Sequence, residues 1–412
     1  MARRREYGLQ VDEERLLTSF ALPPDHPGAV HPALRNAIYL LSCRSLNSQI
    51  PALAQYEPSF VDKIRQGIAD ALEATHRGDN THLFTGVILA SILLARYLLI
   101  MGRTREACHQ IASVARFAVS CGLHQLSSLN LGPHSPSSRA PPLLPPPTDY
   151  VALGERIHAF WAIFALDRTI VTIADLPSAF GDDGSEYVDS CEKITTQWPR
   201  PLQDYRSPDL LAQSGPSGSL ADCFSGGSTR GSPNSRSVNH SICTLGMWAL
   251  EIHHRAHDAL RHPGSGTSTR LPLLSRSALR FLHEAPGVET YDDDLGRAGL
   301  NPTLVLAYSL IFTAQIKLAL AQHGRAAYAS TDGAAAFDSA AQLVELLGRV
   351  RNVAGLDPMV GLCGMFVFGY LKRIGHGART HELIDQLEAS VAQLRRGHVI
   401  LGDGHLELRD LP

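Results

Sequence analysis

Seven cysteines are scattered through the 412 residues of this chain (Cys43, Cys108, Cys121, Cys191, Cys223, Cys243, Cys363), and no two form a C-x-x-C pair. An odd count without close pairs argues against a disulfide framework and against a cysteine zinc site. The thiols read instead as small buried hydrophobes in a reducing compartment. An excess of charge of one sign is also lacking. A formal net charge of −3 offers nucleic acid no general attraction. The short run Arg3-Arg4-Arg5 reads as a solvated terminus. No apolar stretch follows those charged first residues, so no signal peptide is expected. The chain has no G-x-S-x-G elbow, no phosphate loop and no dinucleotide-binding glycine run, so motifs lend catalysis no support. Sustained period-two alternation with hairpin turns is missing too. What remains is helix.

The material for a helical core is present, with 44% hydrophobic and 19% charged residues, an ordinary globular balance that excludes wholesale disorder. Periodicity predicts helices over 13–21 and 33–46, then a third capped near Ser59, in which Phe60, Ile64, Ile68 and Leu72 recur every four residues. Leu83 to Met101 is almost continuously apolar and long enough for a membrane span. Arg96 lies inside it, at a cost of about 2.5–3.5 kcal/mol near a bilayer centre. Gly102-Arg103-Thr104 then leads into an amphipathic partner ending at Gly122, so a buried helical hairpin capped at Thr81 is the expectation.

Ser127 to Thr148 is rich in proline and serine and reads as an extended linker. Between Tyr205 and Asn239 serine, glycine and proline dominate, the composition of a disordered insertion. Further helices are expected over 242–260, 271–282, from Pro302, and over 334–353, 358–374 and 380–394. The predicted fold is all-α, a multi-helix bundle with two long disordered insertions. Its parts are residues 1–126, the linker 127–148, a central motif helix with its turn over 149–204, the insertion 205–239, and a C-terminal helical part over 240–412.

The central motif helix organises the rest. Ile157, Phe160, Trp161, Phe164 and Arg168 follow at three- and four-residue steps along one face. Ile163, Leu166 and Ile170 add apolar positions elsewhere, which predicts a helix covered on most sides at the hub of one continuous bundle. It should run to about Ala174, where Asp175-Leu176-Pro177 breaks it before a turn at Gly181-Asp182-Asp183-Gly184. Arg156, Asp167 and Arg168 are the candidates for a buried ion-pair network or a ligand contact, and pairing is the expectation.

Two constellations have bland alternatives. His253 and His257 stand four residues apart, a separation that lets two imidazoles reach one metal. No glutamate in H-E-x-x-H order and no third ligand accompany them, so they read as histidines on a solvated helix face. Asp182-Asp183-Gly184-Ser185-Glu186 has the spacing of the aspartate-rich sequence with which all-α isoprenoid enzymes hold magnesium diphosphate. Flanking glycines suggest a turn, not the helix such carboxylates need. Asp292-Asp293-Asp294 lacks a final acidic residue at the required step.

Several segments, in this order, resemble the regulatory middle region of fungal zinc-cluster transcription factors of the basidiomycete type. His31-Pro32-Ala33-Leu34 through Leu40 looks like an early helix of that family. Ala115 through Gly122-Leu123-His124 is similar to its alanine-rich helix ending in Gly-Leu-His. Glu155-Arg156, Phe160-Trp161 and Asp167-Arg168 match its central helix, and Leu176-Pro177-Ser178-Ala179 matches the proline turn after it. Ile194-Thr195-Thr196 with Trp198-Pro199 resembles a further signature. Together they cover about half the chain. The family usually has a glycine just before the turn proline, where this chain has Asp175.

The resemblance implies a nuclear regulatory domain that senses a small-molecule effector or a co-regulator and modulates DNA-templated transcription. It implies no catalysis, no cofactor and no membrane. The six-cysteine zinc cluster that binds DNA in the family is missing, so zinc and DNA would be reached only through a separate module. Gly122, Leu123, His124, Glu155, Arg156, Phe160, Trp161, Asp167, Arg168, Pro177, Trp198 and Pro199 carry the motif and are expected to be structural. A helical protein-interaction scaffold is the alternative, and a magnesium-dependent enzyme acting on diphosphates is a third.

Overall fold

Helix caps and breakers written in the sequence set the element boundaries in the computed structural model, which describes residues 9–24, 26, 28–47, 49–78, 83–131, 143–180, 194–213, 220–224, 242–262, 271–292, 297–328, 333–351, 353, 356–375, 377–397 and 401. The fold is all-α. The helices sort into two compact units, Met1–Ala221 and Asp222–Pro412, in place of the single continuous bundle expected.

The first unit opens with α1 (Glu13–Ala21), capped by the Asp12 side chain accepting from the Arg15 amide, and α2 (Pro32–Leu46), capped by His31. A 3-10 turn (Pro51–Tyr56) precedes α3 (Glu57–His76), which therefore begins two residues before Ser59. Pro58 in its first turn explains the start, because proline is pre-set for that position and has no N–H to leave unpaired. The apolar run begins as a π turn (Leu83–Leu89) and continues as α4 (Ala90–Ile100). A Cβ on Gly86 would stand 2.7 Å from the His31 ring, so the π turn comes as close to the α2 cap as only glycine allows. Then α5 (Thr104–Ser120) ends at Gly122, whose φ of +75° is the left-handed stop that glycine supplies.

Helix α6 (Tyr150–Ala174) is buried along most of its length and packs against α4 and α5. Its cap, Asp149, accepts from the Ala152 amide and also holds the Arg15 guanidinium by two bonds of 3.1 and 2.9 Å. It stops at Asp175, whose φ of +53° is the left-handed geometry that a glycine ordinarily provides. Beyond it, a 3-10 turn (Asp204–Arg206) and α7 (Pro208–Gln213) are folded although their composition reads as insertion. Tyr205 and Leu211 are buried, which gives this segment the apolar anchors that its neighbours lack.

In the second unit α10 (Pro302–His323), capped by Asn301, is the hub, and α8 (Ile242–Arg261) lies along it. Helices α9 (Leu271–Glu284), α11 (Ala334–Gly348) and α12 (Pro358–Ile374) also pack on α10, and α13 (Ala378–Gly397) packs on α11 and α12. Helix α11 ends at Gly348, short of the expected Val353, because glycine is a weak helix former and Arg349 to Arg351 after it are not buried and so do not offset that. One antiparallel ribbon, β1 (Glu289–Asp292) with β2 (Arg297–Leu300), interrupts the helices where none was expected.

Among the described residues, three helical stretches are by length and composition apolar enough to cross a membrane: Leu83–Ile100, Tyr150–Ala174 and Pro302–His323. Within the protein 78%, 72% and 72% of these windows are buried. The middle of each Pro/Ser/Gly-rich stretch lies outside the described residues, as do Thr81, Cys191, the turn Gly181–Gly184, the acidic run Asp182–Glu186 and Asp293-Asp294.

Candidate functional site

The Gly122 turn, α6, the proline turn and the segment Ile194–Arg200 meet in the first unit as one hydrogen-bonded assembly, to which, among the described residues, the early segment Pro32–Leu40 is not bonded. Turning the chain at Gly122 leaves the carbonyls of Leu123, His124 and Leu126 directed at the extended strap Ile194–Arg200. The Thr195 and Thr196 amides donate to the His124 carbonyl at 2.9 and 3.1 Å, and the Gln197 amide donates to Leu126 at 3.0 Å. Thr196 Oγ1 donates to the Leu123 carbonyl at 2.6 Å and accepts from the Leu126 amide at 3.2 Å. The strap is buried, so each bond satisfies a backbone group that would otherwise cost free energy.

Helix α6 grips the strap from the other side. Trp161 Nε1 donates to the Gln197 carbonyl at 2.7 Å, and its ring stacks on Trp198 with centroids 4.4 Å apart. Phe160, Phe164 and Phe180 surround the pair, with Phe160 and Phe164 each 5.3 Å from the Trp161 centroid. One turn earlier a His158 ring nitrogen bonds the Arg200 carbonyl at 2.7 Å, and Pro199 is buried between. Trp161 is 2% exposed and works as core.

The proline turn is tied back to the same helix. Asp167 accepts from the Ser178 hydroxyl and from the Ala179 amide, the latter at 3.1 Å, while Pro177 itself is exposed. Asp167 and Arg168 are each 1% exposed, 3.9 Å apart, and Arg168 lies 4.9 Å above the Phe164 ring. Arg156 is no part of that pair, contrary to the grouping the sequence suggests. It sits 6.0 Å from the Phe84 ring, and burial lowers its pKa. Helical geometry explains the separation, since residues 156 and 167 are three turns apart.

Glu155 faces the start of the chain and accepts from the Asp12 amide at 2.8 Å. Burial raises its pKa against that bond. Burial also raises the Asp12 carboxyl, but the bonds from Arg206 (2.9 and 2.6 Å) and the Arg15 amide outweigh it, and the pKa ends below normal. Tyr205 and Arg200, which sequence reasoning did not single out, complete the site. A Cβ on Gly154 would lie 2.6 Å from the Tyr205 ring, so that glycine is what admits the ring against α6. The signal was present in Gly154 itself, a glycine inside a strongly periodic helix.

In the second unit the histidines of α8 are not on a solvated face. His253 and His254 are buried and His257 half-buried, because α8 turns this face toward α10. What His253 and His257 meet is the amine of Lys317, a residue interrupting the apolar stripe of α10, at 3.0 and 3.2 Å. Among the described residues no three His, Cys, Asp or Glu side chains are placed to hold a metal ion. No protein-family model, curated protein or solved structure significantly matches this chain.

Proposed function

We propose that the chain is the regulatory domain of a fungal transcription factor, acting in the nucleus on an effector or a co-regulator. The observation that supports it best is the convergence of motif segments remote in sequence. Gly122-Leu123-His124, Trp161, Asp167, Ser178-Ala179 and Thr196–Trp198 form one assembly around α6. Segments that resemble a family in their order alone need not touch, whereas here these four hold one another. In this reading the assembly is the rigid frame against which a second state is set, since coupling needs two states with different affinities for effector or partner. DNA is reached through a separate zinc-cluster module, and the chain itself carries no catalysis, no cofactor and no membrane attachment.

Residues 1–412 fused to an unrelated DNA-binding domain should change reporter output, and Trp161→Ala should abolish the change. Output indifferent to the fusion under varied nutrients would overturn the reading. The scaffold alternative draws on exposed apolar side chains in the first unit, among them Leu17, Tyr39, Ile50 and Tyr56. Exclusively cytoplasmic partners in a pull-down from cells would favour it.

A further inference from the structure

Helices α1, α2 and α3 each contribute one ring to a row on the surface of the first unit. Tyr39 of α2 stands between Phe20 of α1 and Phe60 of α3, with ring centroids 6.3 and 6.0 Å away. Tyr39 is 42% exposed, and Phe20 and Phe60 are half-buried beside it. Leu17, one turn before Phe20 on α1, is 50% exposed. Single apolar residues scattered over a surface need no explanation, but rings gathered from three helices into one patch form an interaction surface. A cation caps each end of the row. Arg35 lies 5.6 Å from the Phe20 centroid, and Lys63 lies 5.8 Å from that of Phe60. Among the described residues neither side chain has an ion pair or a hydrogen bond, and Nε and Nη2 of Arg35 are shielded from water without an acceptor. The exposed carboxylates of α1 and of the start of α3 stand elsewhere. Asp62 is two residues from Phe60 and so off its face of the helix, while Glu13 and Glu14 lie in the first turn of α1, at the far end from Phe20.

We propose that this row is the docking face for an acidic amphipathic helix of a partner protein, which sets two apolar side chains against successive ring pairs and a carboxylate against Arg35 and Lys63 at the ends. This stands independently of the transcriptional reading, because it concerns the partner's chemistry and not its cellular role. Four observations select such an occupant. Successive ring pairs follow one another at about the 6 Å rise that separates positions i and i+4 of a helix. The face is built from helices and offers no sheet edge to pair an extended backbone, whereas a helix satisfies its own. The unanswered cations at the two ends attract carboxylates and repel a basic segment. Adjacent rings are inclined by 60° and 58°, so the successive bases of a single-stranded nucleic acid find no parallel platform on them.

A display library of helical peptides with leucine at i and i+4 and randomised flanks, panned on the full chain, should return winners with aspartate or glutamate on both flanks. Tyr39→Ala should weaken a winner about tenfold or more, the loss expected when a central interface aromatic is truncated, with circular dichroism confirming the fold. Panning on the double variant Arg35→Glu, Lys63→Glu should return lysine and arginine flanks instead, and Lys63→Glu alone, on an exposed side chain, should already reverse the preference on one flank. No winners, winners with neutral or basic flanks on the wild-type chain, or affinity unchanged in Tyr39→Ala would each overturn the proposal. Self-association of the chain that is lost in Tyr39→Ala, or binding to phosphatidylserine vesicles that is lost there while the peptides do not bind, would overturn it in favour of a second copy or a lipid surface.

Discussion

Trp161 and Trp198 stack at 4.4 Å with planes 21° apart, joining a helix to a strap 37 residues further along the chain. The Nε1 bond to Gln197 orients the first ring, and the stack fixes the second. Trp161→Phe should keep an aromatic in place yet leave the Gln197 carbonyl unpaired, at about 1–3 kcal/mol. Trp161→Ala should cost about 3–5 kcal/mol, against a typical stability of about 5–15 kcal/mol. Urea unfolding followed by tryptophan fluorescence measures both, and equal losses would contradict the role given to the N–H.

Gly154 and Tyr205 make a second such junction. Gly154→Ala places a methyl 2.6 Å from the buried ring and should destabilise by about 1–3 kcal/mol through overpacking. Combining it with Tyr205→Ala should recover most of that loss, because the clash disappears with the ring. A double-mutant cycle reads the coupling, and strictly additive effects would show that the ring is not what the methyl meets.

The buried pair on α6 should be intolerant of halves. Asp167→Ala frees the Ser178 hydroxyl and the Ala179 amide and leaves Arg168 without its 3.9 Å partner, with an expected cost of about 3–5 kcal/mol. Arg156→Ala should cost less than Asp167→Ala, since Arg156 lies outside the pair. Thermal midpoints would rank the two.

Lys317 should give the protein a distinct alkaline response. Its folded pKa is about 8 against 10.5 for the free side chain, so between those values the unfolded chain holds more protons. Stability from this group therefore rises with pH through that window, and below about 8 its penalty is constant, about 3 kcal/mol at roughly 1.4 kcal/mol per unit. Lys317→Met should be the more stable protein at neutral pH, and its advantage should shrink steadily above pH 8. The histidines act at the other end. Burial holds His257 down to about 2, so stability is lost as pH falls below 6.5. Parallel wild-type and variant curves across the alkaline window would refute the lysine's part.

Local chemistry carried much of the fold. Asp12, Asp149, Asn301 and Asp357 cap helices as their types suggest, Pro32, Pro302 and Pro358 open them, and Gly122 ends one. Apolar positions at three- and four-residue steps and beyond identified α6 as buried. The folded segment 204–213 was harder to see, because two buried side chains, Tyr205 and Leu211, outweigh a composition typical of loops.

The amino-acid sequence alone determined that this protein is helical and that the tryptophan helix lies in a core, because periodicity and capping act over a turn or two. Tertiary structure alone decided that the helices divide into two units, that Gln197 and Thr196 bind α6 and the Gly122 turn, and that His253 and His257 face a lysine sixty-odd residues away. Those outcomes depend on which faces meet, and a face shows in the sequence only as apolar or polar, never by the partner it will find.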